Sequence, residues 1–327
     1  MAAKIIDGEV VAAEMNKETA AAAAALKASG KPVRLVAIQV GENPASKIYT
    51  NAQAKSCAGV GIEYQLLNLP ADMTCDALMA KIQELNVDPK VNGMILQMPL
   101  PPQIDARVVQ VTISPDKDVE GMHPVNMGRL FFGGGLVAPC TPMAAVELLR
   151  RTLSEAEIAG KECVVVGHSE IVGKPIAAIM LQSLSKSPTV TVCHVATKDL
   201  ASHIGRAEIL FVATGVSQAK WLGYQRRKKA GEAVTAPDLS PLIKAQWLRE
   251  GSIVIDVAIN RIPKALDDKG EATLNEKGKP DMKTVGDVEY EGALNKVAAI
   301  TPVPGGVGPV TVAMLLKNTI ACAKAMA

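Results

Sequence analysis

Aromatic residues are scarce in this chain: two Trp, four Tyr and three Phe make up only 3% of its 327 residues. A chain of this length is expected to form about two domains. Their cores must therefore be built mainly from aliphatic side chains. Apolar residues reach 48% and charged residues 21%, which is the balance of a globular protein with a full core.

An excess of charge of one sign is also missing. The 35 Lys and Arg residues nearly cancel the 33 Asp and Glu residues, which leaves a net charge of +2. That balance provides no electrostatic attraction to nucleic acid or to a membrane surface. The sequence also has no apolar run of the ~20 residues that a membrane-spanning helix requires. We therefore expect neither nucleic acid nor a membrane as a partner.

The six cysteines include no C-x-x-C pair, and several lie within apolar runs. This usage favours buried, reduced thiols and suits the cytoplasm. His123, His194 and His203 lack the spacing of metal ligands, and no cluster of Cys, His and Asp accompanies them. We expect these histidines to have structural or surface roles, and we predict no metal site.

Helical and strand patterns alternate along the chain, which predicts an α/β fold with parallel sheet covered by helices. Apolar, β-rich segments predict strands at 33–40, 65–69, 93–97, 163–166, 189–193, 208–213 and 252–257. Other segments predict helices at 10–28, 46–59, 74–85, 143–153, 174–184 and 310–326. Thr74 is the predicted N-cap of the third helix. From residue 163 onward the series is Rossmann-like.

Two polar segments read as insertions, at 223–240 and 263–282. The first is rich in Arg, Lys, Gly and Pro, and the second is dense in Lys and Asp. We expect both to be solvated surface loops. Nothing in their residues indicates a function.

A stretch rich in proline and glycine runs from 301 to 312. Three prolines and three glycines connect a short apolar run, 297–300, to the last predicted helix. Such a backbone is stiffened by proline and left bare by glycine, so a flat ligand can lie against its peptide groups. A tight structural turn is the alternative interpretation.

A second informative segment, 91–102, has the pattern of a buried strand that ends in Gln97 and leads into prolines. Together the two segments resemble the paired Q-L-P-L-P and P-G-G-V-G-P-x-T signatures of the methylenetetrahydrofolate dehydrogenase/cyclohydrolase family. The resemblance continues in order through 5–8, 40–46, 116–121 and 166–175. It covers essentially the whole chain.

The resemblance implies two α/β domains. One is a discontinuous, parallel-sheet catalytic domain that binds folate, over 1–140 plus 298–327, and the other is a Rossmann-like NAD(P)-binding domain over 141–297. The resemblance further implies oxidation of 5,10-methylenetetrahydrofolate in one-carbon metabolism, a small-molecule folate as substrate, and a homodimer. Because the family pattern begins at 4–8, we expect no signal or transit peptide and a cytoplasmic location.

The glycine-bearing turn at 167–175 follows a strand and opens a helix, where free N–H groups and the helix dipole favour a phosphate. It is not a P-loop, because His168 and Pro175 occupy the first and last positions of that motif. Nor is it a nucleophile elbow, because Ile171 stands where the second glycine belongs. In the resembled family this turn binds the nicotinamide dinucleotide. The implied contact positions are Gly167, His168, Ser169, Val172, Gly173, Val195, Thr214, Gly215 and Ile259.

The choice between NADP and NAD depends on few residues. NADP users of the resembled family often carry Arg at the position of His168, or a basic or hydroxyl residue at that of Val195. A protonated His168, or Lys198, is able to pair with the 2′-phosphate of NADP. No Asp or Glu ends the second strand to indicate NAD. We expect NADP, with NAD as the alternative.

The resemblance also implies the folate contacts and the catalytic groups. The folate contacts are Tyr49, Gln97, Pro99, Glu120, Pro304, Gly305 and Gly306. The catalytic groups are Tyr49, Gln53, Gln97 and Glu120. Gln53 stands where the family has its cyclohydrolase lysine, and Glu120 stands where the family has Asp. Tyr49 and Gln53 share a helix face, whereas Lys55 lies roughly 200° round the helix from Gln53.

The change at Gln53 affects the two reactions of the family differently. Hydride removal leaves a delocalised methenyl cation and needs no strong side-chain base, whereas hydrolysis of that cation needs water attack and proton movement. An amide cannot usefully exchange a proton near neutral pH. We therefore predict weak or absent cyclohydrolase activity. The alternatives are the full bifunctional enzyme, which makes 10-formyltetrahydrofolate, and a catalytically silent protein that binds folate or dinucleotide.

Overall fold

The chain forms two compact units in a computed structural model that describes residues 2–41, 44–183 and 185–326, without the side chains of 44–49. The six-stranded unit comprises Met1–Glu9 and Ala144–Pro309. The three-stranded unit comprises Val10–Met143 and Val310–Ala327.

The strands and helices of the described residues alternate along most of the chain. The strands are β1 (Lys4–Ile5), β2 (Arg34–Val40), β3 (Glu63–Leu69), β4 (Gly93–Leu96), β5 (Glu162–Val166), β6 (Thr189–Cys193), β7 (Ile209–Val212), β8 (Ile253–Asp256), β9 (Asn260–Pro263), β10 (Met282–Val285) and β11 (Ala299–Ile300). The helices are α1 (Gly8–Ala28), α2 (Pro44–Gly59), α3 (Cys75–Val87), α4 (Ala106–Gln110), α5 (Pro124–Phe132), α6 (Cys140–Thr152), α7 (Glu155–Ile158), α8 (Gly173–Met180), α9 (Leu200–Arg206), α10 (Val216–Lys229), α11 (Tyr290–Ala293) and α12 (Val307–Ala325).

The sheet of the six-stranded unit has the strand order β1-β11-β8-β7-β5-β6, and every neighbouring pair is parallel. Strands β7 and β8 are buried along their whole length. This is the pattern of parallel strands that are covered on both faces. The loops that follow β5, β6, β7 and β8 therefore lie along one edge, the carboxyl edge of the sheet, where open α/β sheets bind their ligands.

The three-stranded unit has a parallel sheet with the order β3-β2-β4. Side chains of the central strand β2 alternate between two cores, because successive residues of a strand point to opposite faces. Leu35 and Ala37 pack in one core with Leu316 of α12, and Val36 and Ile38 pack in the other with residues of α3. All the large buried members of both cores are aliphatic or sulfur-containing, as the scarcity of aromatic residues predicts, and the partly buried Tyr64 packs against the first core.

The predicted α/β class with parallel sheet is confirmed, and the predicted strands and helices recur within a few residues of their observed bounds. Thr74 is the N-cap of α3, and its side chain accepts a hydrogen bond from the backbone N–H of Ala77 at 3.2 Å. All six cysteines are free thiols, and four of them are buried. In the described part of the chain, no helix combines the length and the apolar character that crossing a bilayer requires.

The sequence does not predict β1 and β11, because each spans only two residues and shows no periodicity. These strands pair with each other, with Lys4 opposite Ala299 and Ile5 opposite Ile300, and β11 also pairs with β8. Through this pairing, residues near the start of the chain and residues 298–309 lie in the six-stranded unit.

The expectation that 223–240 is a surface loop is wrong for its first seven residues, because α10 continues as far as Lys229. The helix persists there because its inner face is packed: Trp221 and Tyr224 are buried against Ile262 of β9. The second segment, 263–282, is closed at its base by antiparallel pairing of β9 with β10. Most of its residues are exposed.

Candidate active site

The turn after β5 has the compact geometry that a dinucleotide-binding turn requires. Gly167 ends the strand with φ of +130°, a backbone conformation that favours glycine. A Cβ atom on Gly173, the first residue of α8, would lie 1.8 Å from the carbonyl oxygen of Gly167. The hydroxyl oxygen of Ser169 accepts a hydrogen bond from the backbone N–H of Val172 at 3.1 Å. The turn thus brings strand and helix together only because both ends are glycine.

His168, which follows this turn's first glycine, has a neighbour that sequence reasoning did not associate with it. The rings of His168 and His194 meet edge to face, with their centroids 4.8 Å apart. His194 follows β6, and its Nδ1 accepts a hydrogen bond from the backbone N–H of Ala196 at 3.1 Å. Val195 and Lys198 are exposed in the same loop. The imidazole rings of His168 and His194 are therefore in contact just after the adjacent strands β5 and β6.

The turn after β7 is held by a buried carboxylate, Asp287. One of its oxygens accepts hydrogen bonds from the backbone N–H groups of Thr214 and Gly215, both at 3.0 Å, and from the Thr214 hydroxyl. The other oxygen accepts a hydrogen bond from the side-chain amide of Asn260 at 2.9 Å. Asp287 and Asn260 are fully buried. The buried Asp287 thus holds Thr214 and Gly215, two of the predicted cofactor-contact positions, in place.

A second buried carboxyl group, Asp256, ends β8. Its oxygens accept hydrogen bonds from the backbone N–H groups of Ala258 and Val288, at 3.1 and 2.9 Å. Burial, reinforced by the negative charge of Asp287, raises the pKa of Asp256 to about 8. A Cβ atom on Gly286 would lie 2.0 Å from an Asp256 carboxyl oxygen, so glycine at 286 leaves the room that this carboxyl group fills.

The proline- and glycine-rich loop lines a concave pocket together with the end of β8. Three predicted folate-contact residues, Pro304, Gly305 and Gly306, lie in its wall beside Ile259, a predicted cofactor contact. The carbonyl oxygen of Gly305 accepts a hydrogen bond from the backbone N–H of Gly8 at 2.9 Å. A Cβ atom on Gly8 would lie 1.7 Å from the carbonyl oxygen of Gly306. Part of the glycine backbone of this loop therefore packs directly against Gly8 and is not available to a ligand.

The three-stranded unit brings Gln53 and Gln97 into direct contact. The carbonyl oxygen Oε1 of Gln53 accepts hydrogen bonds from Nε2 of Gln97 and from the hydroxyl of Tyr64, each at 3.0 Å. The side chain of Tyr49 lies outside the described residues, and its backbone lies one turn before Gln53 on α2. Lys55 is exposed, as expected for a residue on a different face of that helix.

Glu120 lies in the same unit, beyond an isolated parallel bridge between Met94 and Asp118. Burial, reinforced by the negative charge of Asp118, raises the pKa of Glu120 to about 7, although a hydrogen bond from the backbone N–H of Leu96 opposes the shift. Leu96 is the last residue of β4, so the carboxyl group of Glu120 lies at the end of the strand that leads into Gln97. Pro99, another predicted contact position, is exposed.

Asp118 organises the surroundings of Glu120. It accepts hydrogen bonds from the backbone N–H of His123 at 2.7 Å and from the side-chain amide of Asn126 at 3.0 Å. His123 is the N-cap of α5, where its Nδ1 accepts a hydrogen bond from the backbone N–H of Val125 at 3.1 Å. This histidine therefore has a structural role. Within the described residues, no group of three or more His, Cys, Asp or Glu is placed to bind a metal ion.

Sequence reasoning missed four residues of these clusters: Tyr64, His194, Asp256 and Asp287. Asp256 gave a usable signal, because a carboxyl group ending an apolar strand run marks the carboxyl edge of a parallel sheet. The other three interact with residues distant in the sequence, and no local pattern indicates those contacts.

Comparison with known proteins identifies both parts of the chain. Residues 6–120 match the catalytic-domain model of tetrahydrofolate dehydrogenase/cyclohydrolase, and residues 139–221 and 224–327 match the NAD(P)-binding domain model. The bifunctional protein FolD of Geotalea uraniireducens is 42% identical over 322 residues, which covers 98% of this chain and 99% of the relative.

Two solved structures resemble the chain over nearly its whole length. The bifunctional methylenetetrahydrofolate dehydrogenase/cyclohydrolase FolD of Campylobacter jejuni is 36% identical, with a TM-score of 0.80 and 99% of each chain covered. The Trypanosoma brucei dehydrogenase-cyclohydrolase, determined with NADP and an inhibitor, is 33% identical, with a TM-score of 0.79 and 99% and 98% covered.

The close approach at Gly173 yields a first prediction. Gly173→Ala should weaken NADP binding by about tenfold or more, because ~1.4 kcal/mol of distortion in the turn is enough for that factor. Fluorescence titration with NADP measures the affinity, and thermal denaturation verifies folding. Gly223→Ala, in α10 with open space around its added Cβ, is the matched control and should bind normally. A folded Gly173→Ala protein with unchanged affinity would exclude this turn as the pyrophosphate site.

The buried acid pair yields a second prediction, on stability. The raised pKa of Asp256 means that the folded protein keeps a proton there that the unfolded chain has released. This stabilisation is complete below the ordinary pKa of 3.8 and is lost as the pH rises through about 8. Asp256→Asn has no proton to lose, so the free-energy gap between the two proteins, wild type minus variant, should fall as the pH rises from about 5 to about 8.

Urea unfolding at each pH measures that gap. The exposed substitution Asp268→Asn is the control and should differ from wild type by a constant amount. A gap between Asp256→Asn and wild type that stays constant or widens with pH would show that Asp256 is ionised throughout.

Proposed function

The chain belongs to the tetrahydrofolate dehydrogenase/cyclohydrolase family, and from that we propose that it oxidises 5,10-methylenetetrahydrofolate by hydride transfer to NAD(P) and hydrolyses the methenyl product poorly or not at all. The contact of Gln53 with Gln97 and Tyr64 is the main support for weak or absent hydrolysis of the methenyl product. By the sequence resemblance, Gln53 carries a neutral amide at the position where the family pattern has a titratable amine.

Hydride transfer depends on positioning. The one-carbon bridge of the folate and the nicotinamide ring must be held in contact, and no side chain has to exchange a proton. Gln53 and Gln97 supply fixed polar groups for this task. Glu120 supplies a carboxyl group that ionises in the neutral range, since its pKa is raised to about 7. As a carboxylate it would accept hydrogen bonds from N3 and the 2-amino group of the pterin.

The residues of the carboxyl edge fit a dinucleotide. When bound, the nicotinamide supplies the hydride acceptor. The turn from Gly167 to Gly173 would hold the pyrophosphate, and the Thr214–Gly215 turn, fixed by Asp287, would line the site. His168, beside His194, would hold the 2′-phosphate of NADP. We therefore propose NADP as the preferred cofactor and NAD as the alternative.

Hydrolysis of the methenyl cation makes a different demand. A water molecule must lose a proton as it attacks, and a side chain that accepts this proton is typically worth ~10²–10⁴-fold in rate. The amide of Gln53 cannot accept it, and Lys55 is exposed on another face of α2. Weak cyclohydrolase activity follows from these two facts.

The full bifunctional enzyme is the second candidate function. The shifted carboxyl group of Glu120, at the end of the same strand as Gln97, is a group able to take up a proton near neutral pH. The relative from Geotalea uraniireducens, which is 42% identical to this chain, is named a bifunctional protein. The decay of methenyltetrahydrofolate absorbance separates the bifunctional enzyme from a dehydrogenase that lacks cyclohydrolase activity.

Assembly and location rest on the family resemblance alone. We propose a cytoplasmic homodimer. Light scattering decides the assembly, since one chain has a mass of 34.3 kDa. A mass of one chain at working concentration would exclude the dimer.

The deciding assay follows the absorbance of methenyltetrahydrofolate with NADP and with NAD. Its formation from methylenetetrahydrofolate marks the dehydrogenase, its accelerated decay marks the cyclohydrolase, and neither change marks a catalytically silent binding protein. We expect formation without accelerated decay. Gln53→Lys should then raise hydrolysis toward the ~10²–10⁴-fold that general acid–base catalysis supplies.

Asn51→Lys is the matched control for that variant. It adds the same charge to an exposed position of α2 and should leave hydrolysis at the wild-type level. Wild-type protein that hydrolyses methenyltetrahydrofolate far above the buffer rate would contradict the loss of cyclohydrolase activity and favour the bifunctional enzyme.

Cofactor choice is tested at His168. His168→Arg should raise the ratio of kcat/KM for NADP over NAD by about tenfold or more, the effect of a hydrogen bond between charged groups. Leu181→Arg, at an exposed position after α8, adds an equal charge and should leave the ratio unchanged. An unchanged ratio in His168→Arg would show that this position does not face the 2′-phosphate.

A further inference from the structure

Tyr64 has no assigned part in the site, yet its hydroxyl touches the residue on which the proposed function depends. We propose that Tyr64 is a positioning residue that acts through Gln53: together with Gln97 it engages the Gln53 carbonyl oxygen and leaves the Gln53 NH₂ group as a hydrogen-bond donor to an acceptor atom of the bound folate. This inference rests on the proposed function and specifies that position 53 presents a hydrogen-bond donor, not an acceptor, to the folate.

Three separate elements build the cluster. Gln53 lies on α2, Tyr64 on β3, and Gln97 directly after β4. The Tyr64 hydroxyl and the Gln97 amide nitrogen each donate to Gln53 Oε1 at 3.0 Å. Gln97 is 8% exposed, and the Gln53 side chain is half-buried. The amide of Gln53 is therefore held from two sides and open on a third.

The hydrogen-bonding capacity of an amide determines which group remains free. A carbonyl oxygen has two acceptor sites, and an amide nitrogen has two donor hydrogens. Tyr64 and Gln97 occupy both acceptor sites of Gln53. Among the side chains that the structure describes, the Gln53 nitrogen has no hydrogen-bond partner. The group left to a ligand is therefore a donor.

Tyr64 is suited to act as a permanent donor. Burial, with a smaller effect from Cys57, raises the pKa of Tyr64 to about 12, so its hydroxyl keeps its proton throughout the physiological range. With the Gln97 amide oriented as it is, turning the Gln53 amide over would set the two NH₂ groups against each other and leave a buried donor unpaired, which is costly. The orientation of Gln97 thus favours one orientation of the Gln53 amide.

A fixed neutral donor has a consequence for the chemistry. Hydride departure leaves a positive charge on the folate. A full ammonium charge at position 53 would repel that cation, whereas a neutral amide binds an acceptor atom of the folate without a net charge. The arrangement favours oxidation and contributes no proton acceptor for hydrolysis.

The test is a double-mutant cycle that combines Tyr64→Phe with Gln53→Ala. Tyr64→Phe alone should raise the KM for methylenetetrahydrofolate about 2–10-fold with a smaller change in kcat, the size expected when a hydrogen bond orients a binding group. In the Gln53→Ala background the same change should have no further effect, because the residue through which Tyr64 acts is missing. Equal effects in both backgrounds would overturn the inference and leave Tyr64 a purely structural residue.

Calorimetric titration with tetrahydrofolate, without NADP, repeats the cycle as a binding measurement. Tyr290→Phe, a partly buried tyrosine of the six-stranded unit, is the matched control and should change neither KM nor affinity. Wild-type protein that forms no methenyltetrahydrofolate with either cofactor would refute the proposed function, and the binding cycle would still decide the role of Tyr64.

Gln53→Glu provides a test that does not depend on the folding of Tyr64→Phe. It keeps an oxygen for both donors but removes the NH₂ group. We expect it to keep the wild-type melting temperature within a few degrees and to lose as much folate affinity as Gln53→Ala. Wild-type affinity in Gln53→Glu would show that no donor at this position meets the folate.

Discussion

Two buried carboxyl groups hold the loops that follow β7 and β8 at the carboxyl edge of the six-stranded unit. Asp256 and Asp287 lie on different segments, yet their oxygens collect hydrogen bonds from the loops after β7 and β8 and from the backbone at Val288. The backbone N–H groups of Ala258 and Val288 are buried and would be costly to leave unpaired. The loops after β7 and β8 are therefore tied to two adjacent buried carboxyl groups, of which Asp256 keeps its proton near neutral pH.

The three-stranded unit solves a similar problem with neutral groups. Gln53, Gln97 and Tyr64 hydrogen-bond to one another without any ion, so their geometry should be insensitive to pH and salt. The carboxyl group of Glu120, which meets the backbone at the end of β4, has a pKa that burial and Asp118 raise to about 7. The hydrogen-bonded amides and the titrating carboxyl group are thus different side chains, which suits the redox step without proton transfer that we propose.

Much of this architecture could be predicted from the sequence, and the reasons for the exceptions are physical. Alternating helical and strand patterns gave the α/β class, because both periodicities reflect burial of one face. Strands β1 and β11 were missed because two residues cannot show a period. The edge-to-face pair of His168 and His194 joins residues on neighbouring strands. The contact of Tyr64 with Gln53 depends on how α2 packs against β3, which no local pattern encodes.

The pairing of β1 with β11 also bears on the order in which the protein can fold during synthesis. Lys4 and Ile5 are synthesised long before their partners, Ala299 and Ile300. Leu315 and Leu316 of α12, which complete a core of the three-stranded unit, follow later still. Contacts between residues so far apart in the sequence form slowly, because closing the long intervening loop reduces the conformational entropy of the chain before the contacts stabilise it. A chain that lacks residues 298–327 lacks both β11 and α12, so it can complete neither unit.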